Sequence, residues 1–186
     1  MNIKTLAAVV IFAALATVLD LSPLKVGFPP LPFLYYQIWE IPIVVVFLIY
    51  GATALILVTA INTLVLLVFF PGGLPFGPVY NMAAILSMIL GMGIVKIFIT
   101  RHSLKHDALV AALYTTFGVS FRTVFMSFVN YSVLGLPSPF GYSLPYATII
   151  GYLPLIAVFN ATLALYTIPI AYSLARIAKS NVGAIR

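Results

Sequence analysis

The amino-acid sequence predicts an all-α integral membrane protein: a six-transmembrane-helix bundle with both termini on the inner side (N-in/C-in) and a long Pro-rich first outer loop. Three observations predict it. Of 186 residues, 63% are hydrophobic and 6% charged, whereas a soluble domain carries about a quarter charged residues to clothe its surface. Six apolar stretches can be marked between loop signals. With six spans, seven of the nine Lys/Arg fall on one face, which the positive-inside rule makes cytoplasmic. The length allows one domain, residues 1–186,. Zero Cys removes disulfides, thiolate metal sites and cysteine nucleophiles,.

The elements follow in order. At ~1.5 Å rise per residue, about 20 apolar residues cross the ~30 Å hydrocarbon core. The first span runs from about Ile3 to Leu19 and stops at Asp20. Ser22 to Pro32 cannot be regular helix, because Pro23, Pro29, Pro30 and Pro32 remove donors and clash,. The second span runs from about Ile38 to Tyr50 and the third from Ala52 to Phe70, with Gly51 as the turn. Residues Pro71 to Pro78 form a Pro/Gly loop,. The fourth span covers Val79 to Ile99, the fifth Ala108 to Leu134, and the sixth Tyr146 to Ala178, after a second Pro/Gly loop from Gly135 to Pro145. Pro154 and Pro169 should kink or break the sixth helix,. The runs lack the alternation of barrel strands, and lipid leaves no water to pair bare backbone, so helices are expected.

Lys4, Lys96, Arg101, Lys105, Arg176, Lys179 and Arg186 make up the basic face; Lys25 lies opposite, and Arg122 falls mid-span. A five-span reading, with the first helix cleaved as a signal peptide at Ala14-Leu15-Ala16, would scatter this pattern,. The net charge of +6 is thus topological and needs no nucleic-acid partner,.

Catalytic motifs are absent. The chain has no His-Glu-x-x-His, no Gly-x-Ser-x-Gly and no phosphate-binding Gly-x-x-x-x-Gly-Lys, so it carries no ATP site of its own, and no enzyme activity or cofactor is expected,. His102, His106 and Asp107 read as a solvated cytoplasmic loop, not as metal ligands,. Polar groups inside spans are costly and therefore informative. Arg122 should face the bundle interior, with Glu40 as its natural partner. Asn62, Asn81, Asn130 and Asn160 each place an amide in a span, and any one of them could be interhelical glue,. Asn81, Asn130 and Asn160 all fall in outer halves, beside an outer crowd of aromatics that includes Trp39 and Tyr80. Much of that crowd is an interfacial belt. Stacking faces with fixed amides nearby also suit a planar amphipathic ligand. The expected pocket is therefore Trp39, Glu40, Tyr80, Asn81, Asn130 and Asn160, with Arg122 next. Small residues on the first helix, Ala13, Ala14, Ala16 and Thr17, would let another helix approach,. A membrane enzyme or assembly factor would want acids or His converging at one depth, and a channel a polar stripe through the whole bilayer; neither pattern is present.

Several stretches together resemble the substrate-binding S components of energy-coupling-factor (ECF) vitamin transporters, most closely the riboflavin-type branch. Phe12-Ala13-Ala14-Leu15-Ala16 is similar to the family's alanine-rich first helix. Gln37-Ile38-Trp39-Glu40-Ile41-Pro42 resembles its acidic-Ile-Pro approach to helix two. Ala60-Ile61-Asn62-Thr63-Leu64 resembles the Lys-Asn-Leu stretch of helix three, with Ile61 in place of Lys. Gly77-Pro78-Val79-Tyr80-Asn81, Val129-Asn130-Tyr131, and Leu153-Pro154 followed by Phe159-Asn160 resemble its elements in helices four, five and six. Leu163 stands where riboflavin-type members commonly carry Lys. The resemblance implies a multi-pass cell-membrane protein that captures riboflavin or a similar vitamin at its outer face, with the first loop as a lid. It further implies docking through helix one onto a transmembrane coupling subunit driven by two ATPase subunits.

Overall fold

The computed structural model describes residues 3–69, 73–104 and 106–184, with side chains to residue 180. Six helices and a hairpin follow in order: α1 (Ile3–Leu21), β1 (Val26–Phe28), β2 (Leu31–Tyr36), α2 (Glu40–Tyr50), α3 (Ala52–Phe69), α4 (Gly77–His102), α5 (Asp107–Val133) and α6 (Tyr146–Ala184). Five of them, all but α2, are long and apolar enough to cross a membrane. Phe70, Pro71, Gly72, Lys105 and Arg186 lie outside the described residues.

Helix α2 is the shortest of the six and lies within the Ile38–Tyr50 bounds expected for the second span. Its 11 residues rise about 16 Å, half of a bilayer core. The helix starts at Glu40, in keeping with an acid at the positive end of the dipole,. It is apolar all round, and Ile43 through Phe47 are buried without a break, as befits a helix at the centre of a bundle,. Helices α1, α3, α4 and α6 pack around it. Gly51, at φ +91°, ends it in a backbone conformation that an L side chain resists, and its N–H donates to the Phe47 carbonyl at 3.0 Å,.

The Pro-rich loop is more ordered than expected. It forms an antiparallel hairpin in which Val26 pairs with Tyr36 and Phe28 with Leu31, turning at Pro29-Pro30. Proline costs little at that turn, since no ladder donor is needed there. The hairpin lies on α6. Phe28 packs against Phe159 with centroids 5.7 Å apart, Tyr36 against Phe159 at 5.0 Å, and the Tyr36 hydroxyl meets Thr162 Oγ1 at 2.7 Å. Tyr166 donates to the Gln37 carbonyl at 2.6 Å. Phe28, Leu31, Leu134, Ile156, Phe159 and Leu163 form a second apolar cluster beneath it.

Helix α6 does not break at Pro154 or Pro169; it runs unbroken through both for 39 residues. Each proline withholds one helical N–H, from the carbonyls of Ile150 and Leu165,, and a membrane bundle tolerates such losses when packing holds the helix. Helices α4 and α5 touch closely at Gly91, where a Cβ would collide with the Phe117 carbonyl,.

Most of the described basic residues gather at the end of the bundle remote from the hairpin; Lys25 adjoins the hairpin and Arg122 lies within α5. Lys179 Nζ donates to the Leu48 carbonyl at 3.0 Å, Lys96 sits 5.1 Å from the Phe47 ring centroid, and Arg176 pairs with Asp107 at 2.6 Å.

Candidate functional site

A cavity of about 670 Å³ opens at the hairpin end, between β2, the start of α2 and the hairpin-side ends of α1 and α3 to α6. That is within the size range of pockets that enclose drug-sized molecules. The cavity occupies the space above α2, so the half-length of that helix is what leaves room for it. Trp39, Glu40, Tyr80, Asn81, Arg122, Asn130 and Asn160 all line it. Their chemistry, however, is unequal.

Arg122 and Glu40 form a bidentate pair: Nη2 donates to Glu40 Oε1 at 2.9 Å, and Nη1 to Oε2 over a shorter distance. Each residue is 3% exposed. Arg122 Nε donates to Asn160 Oδ1 at 3.1 Å, while Asn160 Nδ2 donates to the Ile156 carbonyl at 3.0 Å. The fork geometry suits a buried Arg–carboxylate pair. Its partners neutralise the charge of Arg122 and engage the oxygen and one N–H of the Asn160 amide. These residues therefore shape the floor, and what they still offer a ligand is single N–H donors, without net charge.

Asn130 Nδ2 donates to the Met126 carbonyl at 2.7 Å, which leaves its carboxamide oxygen as an acceptor. The Tyr80 hydroxyl donates to the Phe140 carbonyl at 2.7 Å and ties α4 to the α5–α6 loop. Asn81 makes no side-chain hydrogen bond among the described residues and is exposed, so both its donor and its acceptor are available. Trp39 is buried at the foot of β2, just before α2.

The remaining wall comes from residues that the sequence reading did not place in the pocket: Asp20, Lys25, Gln37, Met126, Tyr142, Phe159 and Leu163 among them. Leu163 is buried and apolar at the place where the resemblance puts a Lys. Tyr142 packs on Phe33 with centroids 5.2 Å apart. Burial, and after it the neighbouring Tyr35, push its phenol above the ordinary value, so it remains a neutral hydroxyl at physiological pH,. The one available signal for Asp20 was an acid closing an apolar run, which reads as the end of a span.

The expected docking stripe is divided by the structure. Ala13 and Ala16 are buried inside the bundle, and Thr17 Oγ1 donates to the Ala13 carbonyl at 2.9 Å and accepts from Asn62 Nδ2 at 3.3 Å. Successive helix residues point about 100° apart, so Ala13 and Ala14 cannot share a face. Of the four, Ala14 is exposed, beside Val10, Ile11 and Val18. Asn62 is interhelical glue between α3 and α1,.

These features define a helical membrane bundle with a capped cavity at one end and an apolar helix sealing the middle. The fold is similar to that of a solved structure described as the S component of a bacterial ECF transporter. The TM-score is 0.67 at 19% identity, over 98% of this chain and 96% of that one. No protein-family model matches the chain, and no curated protein does.

Proposed function

We propose that the protein is the substrate-capture subunit of an ECF-type transporter in the cell membrane, with six passes and an N-in/C-in orientation, that binds riboflavin or a similar flat vitamin. The cavity supports this reading most: a space of about 670 Å³ under a hairpin lid, lined by rings and amides, at the end opposite most of the basic residues. That end faces outward under the positive-inside rule. Trp39 and Tyr80 flank the ligand, Asn81 and Asn130 give and receive its hydrogen bonds, and the Glu40–Arg122–Asn160 network holds the floor rigid. A transmembrane coupling subunit and two ATPase subunits supply the energy, and the exposed face of α1 around Ala14 meets the coupling subunit.

Mass spectrometry of small molecules that co-purify with the detergent-solubilised protein tests the reading. A bound vitamin is expected, and a yellow, fluorescent preparation identifies riboflavin. Asn81→Ala should weaken binding about fivefold with an unchanged melting temperature, because the lost hydrogen bond is one to ligand only. No co-purifying molecule, together with full affinity in the variant, would remove the assignment.

A further inference from the structure

Asp20 occupies an unfavourable place for a carboxylate. It lies in the last turn of α1, where the helix dipole opposes negative charge,. It is 6% exposed, and its Oδ2 is buried with no hydrogen-bond partner. Among the described residues the ion pairs are Arg122–Glu40 and Arg176–Asp107, so Asp20 has none. Lys25 shares the cavity wall but is exposed at its rim and does not come within ion-pair distance. A shielded carboxylate without a partner is expensive, and such groups in native proteins are ordinarily paired or bound.

The rest of the wall sets the sign of what can fill this gap. The buried cation, Arg122, is neutralised by Glu40. An entering anion therefore finds positive charge only in Lys25 at the exposed rim, whereas an entering N–H finds the buried Asp20 and, on the same wall, the free oxygen of Asn130.

We propose that Asp20 is a ligand-binding residue, and that the captured molecule is a nitrogen heterocycle which donates an N–H to it, in preference to a carboxylate-bearing vitamin. This rests on the capture reading above and narrows it to a chemical class. An uncharged imide and a cationic amino-heterocycle both offer such a donor.

The test is binding to the purified full-length protein by three probes: riboflavin, with an imide N–H; thiamin, a cationic amino-heterocycle; and nicotinate, a carboxylate without an N–H donor. Riboflavin or thiamin is expected to bind, and which of them does identifies the donor; nicotinate is expected not to. Asp20→Asn should weaken the bound probe about ten- to hundredfold, the loss of one charge-assisted hydrogen bond. The melting temperature of the empty variant should hold or rise, because a buried unpaired charge has gone; a purely structural Asp20 would lower it. Asp20→Leu, which needs no partner, should show the same pattern and guards against a folding defect in the amide variant. Nicotinate binding in preference to the other two, or full affinity in both variants, overturns this inference and leaves capture standing. If none of the three probes binds, this inference fails, and the capture reading stands or falls separately on whether a small molecule co-purifies with the protein.

Discussion

Replacing one member of the Glu40–Arg122 pair should be far more damaging than replacing both. Each is 3% exposed, so Glu40→Gln strands a guanidinium and Arg122→Met strands a carboxylate in a place that water hardly reaches. Breaking a buried pair from one side costs about 3–5 kcal/mol. Arg122→Met also strips Asn160 Oδ1 of its donor, about 1 kcal/mol more,. Glu40→Gln/Arg122→Met removes both charges and should unfold within about 2 kcal/mol of the unaltered protein, since well-packed neutral replacements of a buried pair are often tolerated. The double-mutant cycle should then return a coupling of at least about 3 kcal/mol, more than a hundredfold in the folding equilibrium. Unfolding by SDS in mixed micelles, followed by circular dichroism, reads all four proteins. Single variants that each cost below about 1 kcal/mol, or costs that simply add in the double variant, would refute the reasoning.

Two further outcomes follow from packing alone. Gly91→Val should destabilise the bundle by about 1–3 kcal/mol, because its Cβ has no room against the Phe117 carbonyl; the melting temperature in detergent checks this, and an unchanged value would mean α4 and α5 lie further apart,. Ala13→Phe should lower the melting temperature by overpacking a buried site, while Ala14→Phe should leave both stability and ligand binding intact and reduce uptake in cells,. Equal effects of the two would contradict the assignment of opposite faces.

The charges and amides were the most legible part of the chain, for a physical reason. A polar group inside an apolar span is costly unless partnered, so Glu40 and Arg122 could be matched before any coordinates. The bonds that Asn160 makes were not legible, because one amide looks the same whether it serves a ligand or an arginine. The hairpin escaped because strands of three and six residues are too short to show a period of two, and four nearby prolines dominate the local signal,. The shortness of α2 was legible, because the Pro-rich loop and Gly51 leave only the run from Ile38 to Tyr50 between them. Asp20 escaped because its burial depends on parts of the chain far away in sequence. The docking stripe was drawn by counting small residues without turning them round the helix axis, and the bundle buries two of the four, Ala13 and Ala16.

Helix α2 has one last consequence. A full-height helix in its position would fill a cylinder about 10 Å across, and the missing ~13 Å of it corresponds to roughly 1,000 Å³. The hairpin returns part of that volume, and the hollow is the remainder. Capacity is thus governed by where a backbone segment begins: a single added turn, about 5.4 Å, would take up roughly 400 Å³, more than trimming any one wall side chain could restore.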